Sequence, residues 1–412
     1  MSKGGLARLL TLGRRKGFWF SVLMGILAMS WDFVVKADSI QLRPATNLLA
    51  GGTNLNVGYY AIPCVADWNG DGKKDLLIGY QTNSMIRVYT NSGTDAKPVF
   101  TGYYDLTSNG TNKIWHPCGG CGAPVPWVCD YDGDGKRDLL VGDGSDGTVY
   151  FYRNTNTDSA PKLILVGQLR VSGTSTNLTV GIRATPYVCD WDGDGLKDLL
   201  VGDGSGYVTF FKNTNTNTTA GQLPSYAPGV RIQAGGTDLK LPGGNSARSV
   251  VRVFDWDGDG LKDLVCSSDW GVYWCRNTNS NQQPILQVPV YLQSPSTNGN
   301  LTNIQAGTGS RLRLDLVDWN DDGVMDLVYG KSDGSVYYYE GYYFRLGLIP
   351  QTNQTIVLQW DSAPLLNYSV LAYDGLNSPC QSTNKLTSAG NKTCWTNQMQ
   401  ARQGFFKVQI AQ

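Results

Sequence analysis

Five short stretches of this sequence place aspartates at the spacing that a hard metal ion needs. Each reads D-x-[D/N]-x-D-G-x-x-D, as in residues 190–198. The oxygen atoms at positions 1, 3, 5 and 9 can surround one point, because glycine at position 6 permits a sharp turn. Calcium binds about six to eight such oxygen atoms. The side chain at position 7 varies between stretches, so this position can offer only its backbone carbonyl.

The predicted metal ligands are the residues at positions 1, 3, 5, 7 and 9 of the five stretches. They are Asp67, Asn69, Asp71, Lys73 and Asp75; Asp130, Asp132, Asp134, Lys136 and Asp138; Asp190, Asp192, Asp194, Leu196 and Asp198; Asp255, Asp257, Asp259, Leu261 and Asp263; and Asp318, Asn320, Asp322, Val324 and Asp326. We expect up to five calcium ions. The alternative is a polar turn that binds nothing. It is disfavoured because clustered carboxylates repel one another by about 1 kcal/mol per pair even in water.

The five stretches recur at a nearly constant interval, which indicates a repeat architecture. Their first aspartates are 63, 60, 65 and 63 residues apart. Apolar runs flank every loop, and each repeat has room for four short strands, which form one blade of a β-propeller. Glu340 is the only glutamate, whereas Gly, Thr, Asn and Tyr abound, a composition typical of β-proteins.

We therefore predict an all-β protein with a five-bladed β-propeller over residues 38–341 and a small C-terminal β-sandwich over residues 342–412. Proline precedes three of the loops by four residues, at Pro63, Pro126 and Pro186. Because proline cannot donate to a strand ladder, this strand should be the inner edge of its blade. Residues 39–45 resemble an outer strand that completes the last blade and closes the ring.

Residues 1–37 resemble a secretory signal peptide, with basic residues followed by an apolar segment at 18–31 and small residues before position 38. An uncleaved membrane anchor is the alternative. Cleavage removes six of 34 basic residues and one of 34 acidic residues, which leaves 28 and 33 and a net charge of −5. That balance argues against nucleic-acid binding. We expect a secreted or cell-surface protein with no membrane span after cleavage.

Nine cysteines are an odd number, so at least one is unpaired within the chain. Cys380 and Cys394 are the most plausible disulfide. Cys118 and Cys121 lie in a loop rich in glycine and proline, where a local disulfide or plain thiols are favoured over a redox or metal site.

The loops, followed by leucine in all five copies, and the downstream Gly-x-Val-x-x-[Phe/Tyr] strands resemble the FG-GAP/VCBS family of calcium-binding propellers, which includes the integrin α-chain head. The resemblance covers residues 39–341. It implies that metal loops lie on one face of the disc and that ligands dock on the other. Arg183, Arg248 and Arg311 each lie seven residues before a loop, so they should ring the axis on that opposite face. Arginine clusters suit carboxylates, sulfates or phosphates, although solvated arginines without a ligand are the alternative.

Every loop also has an aromatic residue at position 2, for which packing between blades is favoured over sugar stacking. These residues are Trp68, Tyr131, Trp191, Trp256 and Trp319.

Three functions fit these features. The favoured one is an exported calcium-binding module that binds or adheres to a glycan or an extracellular protein. The alternatives are a polysaccharide-cleaving lyase or hydrolase and a purely structural surface protein. A glycosidase needs two carboxylates about 5–10 Å apart, but the predicted inner strands hold a single acid, Asp315. We therefore favour a binding module over an enzyme.

Overall fold

A computed structural model gives the fold. It describes residues 22–23, 33–110, 112–114, 123–217, 219–243, 247–296, 300–305, 311–350, 355–363, 366–373, 382–398 and 405–410. All regular elements of this part of the chain are β-strands. Two compact units are present, one of residues 45–293 and 303–341, the other of residues 1–44, 294–302 and 342–412.

The first unit consists of five antiparallel blades. Each blade has four main strands, which are arranged in order from the axis outward. The strands are Ile62–Ala66, Asp75–Tyr80, Met85–Tyr89 and Tyr104–Asp105 in blade 1; Val125–Cys129, Asp138–Gly142, Val149–Asn154 and Leu163–Gln168 in blade 2; Thr185–Cys189, Asp198–Gly202, Val208–Phe211 and Val230–Arg231 in blade 3; Val250–Phe254, Asp263–Ser267, Val272–Cys275 and Val290–Tyr291 in blade 4; and Arg313–Val317, Asp326–Gly330, Val336–Tyr339 and Thr46–Asn47 in blade 5.

The first strand of each blade contacts the first strands of both neighbouring blades, so that five inner strands form a closed ring. The predicted five-bladed β-propeller is therefore confirmed, with the proline-containing strands at its inner edge. Short hairpins lie between blades. They are Leu49–Ala50 with Thr53–Asn54, Thr107–Ser108 with Asn112–Lys113, and Gln233–Ala234 with Thr237–Asp238.

The second strand of each blade is buried along its whole length, which explains its continuous apolar sequence. Glycine near the end of this strand lets the next blade approach. A Cβ atom on Gly79 would lie 1.7 Å from the carbonyl oxygen of Pro124, and one on Gly142 would lie 2.0 Å from that of Ala184. Blade packing thus depends on backbone-to-backbone contact at these positions.

The ring closes through an N-terminal strand, as the sequence predicts, but with a different segment. Thr46 and Asn47 pair with Tyr338 and Tyr337 of blade 5. The expected segment, residues 39–45, does not supply this strand. Its first four residues belong to the longer strand Phe33–Leu42, which lies beside Gly341–Pro350 in the second unit.

The second unit contains two four-stranded sheets. One has the order Val22–Leu23, Phe405–Ile410, Asn367–Tyr373 and Ser382–Thr387; the other has Phe33–Leu42, Gly341–Pro350, Thr355–Asp361 and Lys392–Gln398. Leu358, Trp360, Tyr368 and Val370 are in its buried core. N-terminal strands thus belong to this unit. The predicted C-terminal domain, which begins at residue 342, does not include them.

Most of residues 1–37 and all of Cys118, Cys121 and Cys380 lie outside the described residues. The signal peptide and the Cys380–Cys394 disulfide therefore stay predictions. Nowhere in the described ranges is there a helix with the length and apolar character needed to cross a membrane.

Candidate metal centres and the opposite face of the propeller

The five aspartate loops each connect the first strand of a blade to the second. Position 9 is the first residue of the second strand and is fully buried in every blade, at Asp75, Asp138, Asp198, Asp263 and Asp326. In blade 3, one oxygen of this aspartate accepts from the backbone N–H of Trp191 at 3.0 Å, and the other accepts from that of Asn213 at 2.8 Å. The same pair of bonds recurs in the other four blades. Position 9 thus fixes the loop to the blade.

Positions 1 and 5 shape the loop from inside. In blade 3, Oδ2 of Asp190 accepts from the N–H of Gly195 at 3.2 Å, and Oδ1 of Asp194 accepts from the N–H of Leu196 at 2.9 Å. Both bonds are present in all five loops. Position 7 therefore uses its N–H within the loop, which leaves its carbonyl as the group it can offer to a metal.

Several carboxylate oxygens in these loops are buried and have no hydrogen-bond partner. They are Oδ1 of Asp67, Asp130, Asp190, Asp192 and Asp257. A buried acceptor without a partner is costly, and a hard cation at the loop centre would supply the missing partner. Asp257 is only 6 % exposed, so water does not easily replace such a cation there.

Three loops hold carboxylates close enough together to bind one ion. One oxygen from each group member lies within 4.8 Å of the others, and the groups are Asp190, Asp192, Asp194 and Asp198; Asp130, Asp132 and Asp138; and Asp255, Asp257 and Asp259. Loops 1 and 5 have an amide at position 3, Asn69 and Asn320, whose oxygen can also bind calcium. The structure therefore brings all four predicted carboxylates together in loop 3, and three of the four in loops 2 and 4, where Asp134 and Asp263 lie outside the groups.

The backbone of the loops is left-handed at two positions. In loop 3, Gly193 at position 4 has φ 72° and Gly195 at position 6 has φ 85°. Glycine adopts this conformation without steric cost. The sequence analysis identified position 6 only, although glycine also fills position 4 in four loops. Asp321 takes that place in loop 5, with φ 58°.

A basic side chain enters each of the three loops that have aspartate at position 3. Lys212 Nζ lies 2.6 Å from Oδ2 of Asp194 and also contacts Asp192, and Arg153 Nε lies 2.6 Å from Oδ2 of Asp132. Arg276 contacts Asp257 and lies 2.8 Å from Asp259. We call Arg153, Lys212 and Arg276 the resident cations.

Lys212 and Arg276 directly follow the third strand of their blade, and Arg153 is the penultimate residue of its third strand, so all three lie far from the loops in sequence. Each immediately precedes an asparagine, at Asn154, Asn213 and Asn277; the corresponding residues of blades 1 and 5 are Thr90 and Glu340. The sequence analysis missed them. The sequence does contain a signal for them. Blades with aspartate at position 3 have a basic residue at this place, whereas the two blades with asparagine at position 3 do not.

Position 8 connects each loop to the one before it. Arg137 lies 2.9 Å from Asp67, Lys197 lies 3.8 Å from Asp130, and Lys262 lies 3.5 Å from Asp190. Lys74 contacts Asp321 of loop 5. Position 8 of loop 5 is Met325, so the series of ion pairs is interrupted between loops 4 and 5.

Burial raises the pKa of several loop carboxyls, and neighbouring carboxylates add to the effect. The pKa of Asp138 and that of Asp326 rise to about 7, while those of Asp198, Asp257 and Asp263 rise to about 6. Keeping these groups ionised at neutral pH therefore costs free energy unless a cation is bound. The residues present fit a divalent cation.

The three predicted arginines lie together at the other end of the inner strands. Arg183 and Arg248 line a pocket with Tyr60 and Arg313, and Arg311 lies over the Tyr60 ring at 4.5 Å. The sequence analysis missed Arg313, which lies on the inner strand of blade 5, and Tyr60, which has the same register as the three arginines in blade 1.

The single acid of the inner strands, Asp315, is 1 % exposed and lies 2.6 Å from Arg252 Nε. Arg252 in turn contacts the rings of Trp127 and Tyr187 at 4.6 and 5.1 Å. Asp315 is thus half of an ion pair that fills the axis, not a carboxylate open to a sugar.

The position-2 aromatics are also buried, between 0 and 4 % exposed. Four of them pack in the cores between blades, namely Trp68, Tyr131, Trp191 and Trp319. The preference for packing over sugar stacking is confirmed.

Comparison with known proteins agrees with this architecture of blades and aspartate loops. The profile of the FG-GAP-like repeat matches residues 255–329. The chain is 29 % identical to integrin alpha-4 of Xenopus laevis over 163 residues, which is 37 % of this chain and 15 % of that protein. It is 26 % identical to human integrin alpha-7 over 240 residues, 53 % of this chain and 18 % of that one. These matches support an FG-GAP β-propeller.

Two solved structures also align with the chain at low TM-scores. One is the Photorhabdus luminescens Tc holotoxin pore, with 15 % identity, a TM-score of 0.32 and coverage of 90 % of this chain and 19 % of that chain. The other is BBS1N in complex with ARL6DN, with 12 % identity, a TM-score of 0.30 and coverage of 90 % and 96 %.

Proposed function

We propose that this protein is a calcium-binding propeller that acts outside the cell as a binding or adhesion module for a protein ligand. The observation that carries the proposal is the set of buried carboxylate oxygens without partners, repeated in the aspartate loops. Calcium suits them better than magnesium, because the loops offer many oxygen atoms in a flexible shell, whereas magnesium demands near-octahedral geometry.

The residues that would hold each ion are the side chains at positions 1, 3, 5 and 9 and the carbonyl at position 7. In loop 3 these are Asp190, Asp192, Asp194, Asp198 and Leu196. The bound ion supplies positive charge that offsets the clustered carboxylates. Its role is structural, since the loops then hold the ends of the first and second strands together.

A role in adhesion is supported by the similarity to two integrin alpha chains. It favours a protein ligand over the glycan that the sequence also allows. A signal peptide over residues 1–37 would deliver the chain to the cell surface or the medium, where calcium is about millimolar and modules of this kind bind it with dissociation constants of about 0.1–1 mM. Asp315, held by Arg252, gives no support to a polysaccharide-cleaving enzyme.

Calorimetric titration of the chelator-treated full chain with calcium tests the proposal. We expect uptake of up to five ions and a melting temperature that rises with calcium, since a ligand that binds only the folded state stabilises it by mass action. Asp190→Ala should remove one site, while the exposed Asp238→Ala is the matched control. No calcium uptake at millimolar concentration would contradict the proposal.

A further inference from the structure

Four equivalent residues at the mouth of the propeller axis share an unusual backbone conformation. Tyr60, Arg183, Arg248 and Arg311 each lie seven residues before the first aspartate of their loop, and their φ angles are 49°, 54°, 47° and 41°. The left-handed conformation is uncommon for residues other than glycine and destabilises the fold at each position. Such strain is retained where the surrounding structure holds a side chain in a required place.

Several guanidinium groups surround one carboxylate, that of Asp269. Asp269 accepts from Arg248 at 3.1 Å and from Arg313 at 3.1 Å, and Arg311 lies 3.7 Å from it. One carboxylate is thus shared by three guanidinium groups. Burial lowers the pKa of Arg313, and the nearby Arg311 and Arg183 contribute to that shift.

Arg183 is the arginine of this group that lacks a hydrogen-bond acceptor. Its Nε atom is buried and has no hydrogen-bond partner. It lines the same pocket as Arg248 and Arg313, so an acceptor placed there would be within reach of several guanidinium groups. Arginine binds carboxylates through parallel N–H donors, and such charge-assisted bonds are about twice as strong as neutral ones.

The floor and rim of the pocket are apolar. Ile62, Ala123 and Val125 form a small buried cluster beside Tyr60. Three large apolar side chains nearby in sequence are exposed: Tyr59 (49 %) and Ile182 (38 %) precede the pocket residues Tyr60 and Arg183, and Trp270 (53 %) follows Asp269. Exposed aromatic and aliphatic side chains around a charged centre are typical of protein–protein contact surfaces.

We propose that the pocket lined by Arg183, Arg248 and Arg313 binds the carboxylate of an acidic side chain that is flanked by apolar residues in a protein ligand. The carboxylate would enter beside Asp269, satisfy Arg183 and share the remaining guanidinium donors. Its apolar neighbours would lie on Tyr59, Ile182 and Trp270. This inference rests on the proposed binding function and names the chemistry that the ligand must present.

Two acetylated, amidated pentapeptides of sequence Gly-Leu-Asp-Leu-Gly and Gly-Leu-Asn-Leu-Gly test the proposal against a uronic acid trisaccharide. Binding to the full chain in calcium is measured by saturation-transfer NMR, with intrinsic tryptophan fluorescence as a second readout. We expect the aspartate peptide to bind at least about ten-fold more tightly than the asparagine peptide, because charge-assisted hydrogen bonds are about twice as strong as neutral ones. Binding should weaken as salt is raised.

Arg183→Met should reduce binding of the aspartate peptide to the level of the asparagine peptide. The matched control is Arg231→Met, which removes an exposed arginine paired with Asp238 in the outer strand of blade 3, and it should leave binding unchanged. Equal binding of the two peptides, or binding of the trisaccharide but not of the peptide, would overturn the proposal. Calcium-dependent melting is measured on the same samples, so a failure of this pocket is distinguished from a failure of the calcium-binding module.

Discussion

The guanidinium Nε of Arg252 lies 2.6 Å from Oδ1 of Asp315, and both residues are at most 3 % exposed. Oδ2 of Asp315 accepts from the backbone N–H of Val65 at 2.7 Å. One buried carboxylate of blade 5 thereby joins blades 4 and 1 at the axis.

This pair predicts a large stability effect at a residue that could be mistaken for a catalytic acid. Asp315→Ala should lower the free energy of unfolding by about 3–5 kcal/mol, because it leaves Arg252 buried without its partner. The double variant Arg252→Met, Asp315→Leu should recover most of that loss, since apolar residues of similar volume replace a buried pair at little cost. Urea unfolding measures both. A stable Asp315→Ala variant that lost a polysaccharide-cleaving activity would instead favour an enzyme.

The resident cations predict that loop 3 binds calcium more weakly than its four aspartates allow. Lys212→Met should raise the calcium affinity of this loop by about ten-fold, equivalent to about 1.4 kcal/mol, because the ion no longer competes with an ammonium group. The same change should destabilise the calcium-free protein, in which Lys212 lowers the pKa of Asp194.

Calorimetric titration of Lys212→Met and of Lys240→Met tests this. Lys240 lies near the ring of Tyr207 and outside the loop, so its replacement should leave calcium affinity unchanged. If Lys212→Met bound calcium no more tightly than the control, the lysine would not occupy the position of the ion.

Stability without calcium should depend on pH through the buried loop aspartates. The pKa of Asp138 is about 7 in the folded chain, well above the ordinary value of 3.8, so the folded state binds a proton that the unfolded state releases at lower pH. Stability of the calcium-free protein should therefore fall as pH rises from about 4 to about 7. Saturating calcium should remove most of this decline, because the ion favours the ionised carboxylate. Unfolding at pH 5 and pH 8, with chelator and with calcium, measures the difference.

Close blade packing predicts that Gly79 cannot be replaced. Gly79→Ala should cost about 3 kcal/mol or more, because its Cβ atom would meet the carbonyl oxygen of Pro124, and overpacking of this kind forces backbone shifts. Gly102→Ala is the control, since a Cβ atom at Gly102 has nothing within 4 Å. Equal melting temperatures for the two variants would show that blades 1 and 2 can move apart without loss of stability.

The repeat number, the inner strands and the places of the aspartate loops between first and second strands follow from the sequence because each depends on local spacing. Position 9 and the apolar run after it repeat in all five copies, and the arginines seven residues before the loops keep their register. The resident cations do not follow in this way, since the contact of Lys212 with Asp194 depends on the packing of the third strand beside the loop.

The strand that closes the ring is a second feature that the sequence pattern does not predict. Thr46–Asn47 is only two residues long, too short for any periodic pattern. The preceding segment has a more strand-like sequence, but it belongs to the long strand Phe33–Leu42. Pattern analysis favours the longer segment, whereas pairing with blade 5 selects the shorter one.

The closure of blade 5 has a mechanical consequence. The propeller begins at the outer strand Thr46–Asn47 and ends just after the third strand Val336–Tyr339 of the same blade, and two residue pairs join these strands. A pulling force applied between the two ends of the propeller is therefore transmitted within blade 5, across this short ladder and the hydrogen bonds that follow it, such as that from the N–H of Leu48 to the carbonyl of Val336. The other four blades do not carry this force. Attachment of the protein at both ends of the propeller would therefore strain blade 5 and leave the metal loops of the other blades unstretched.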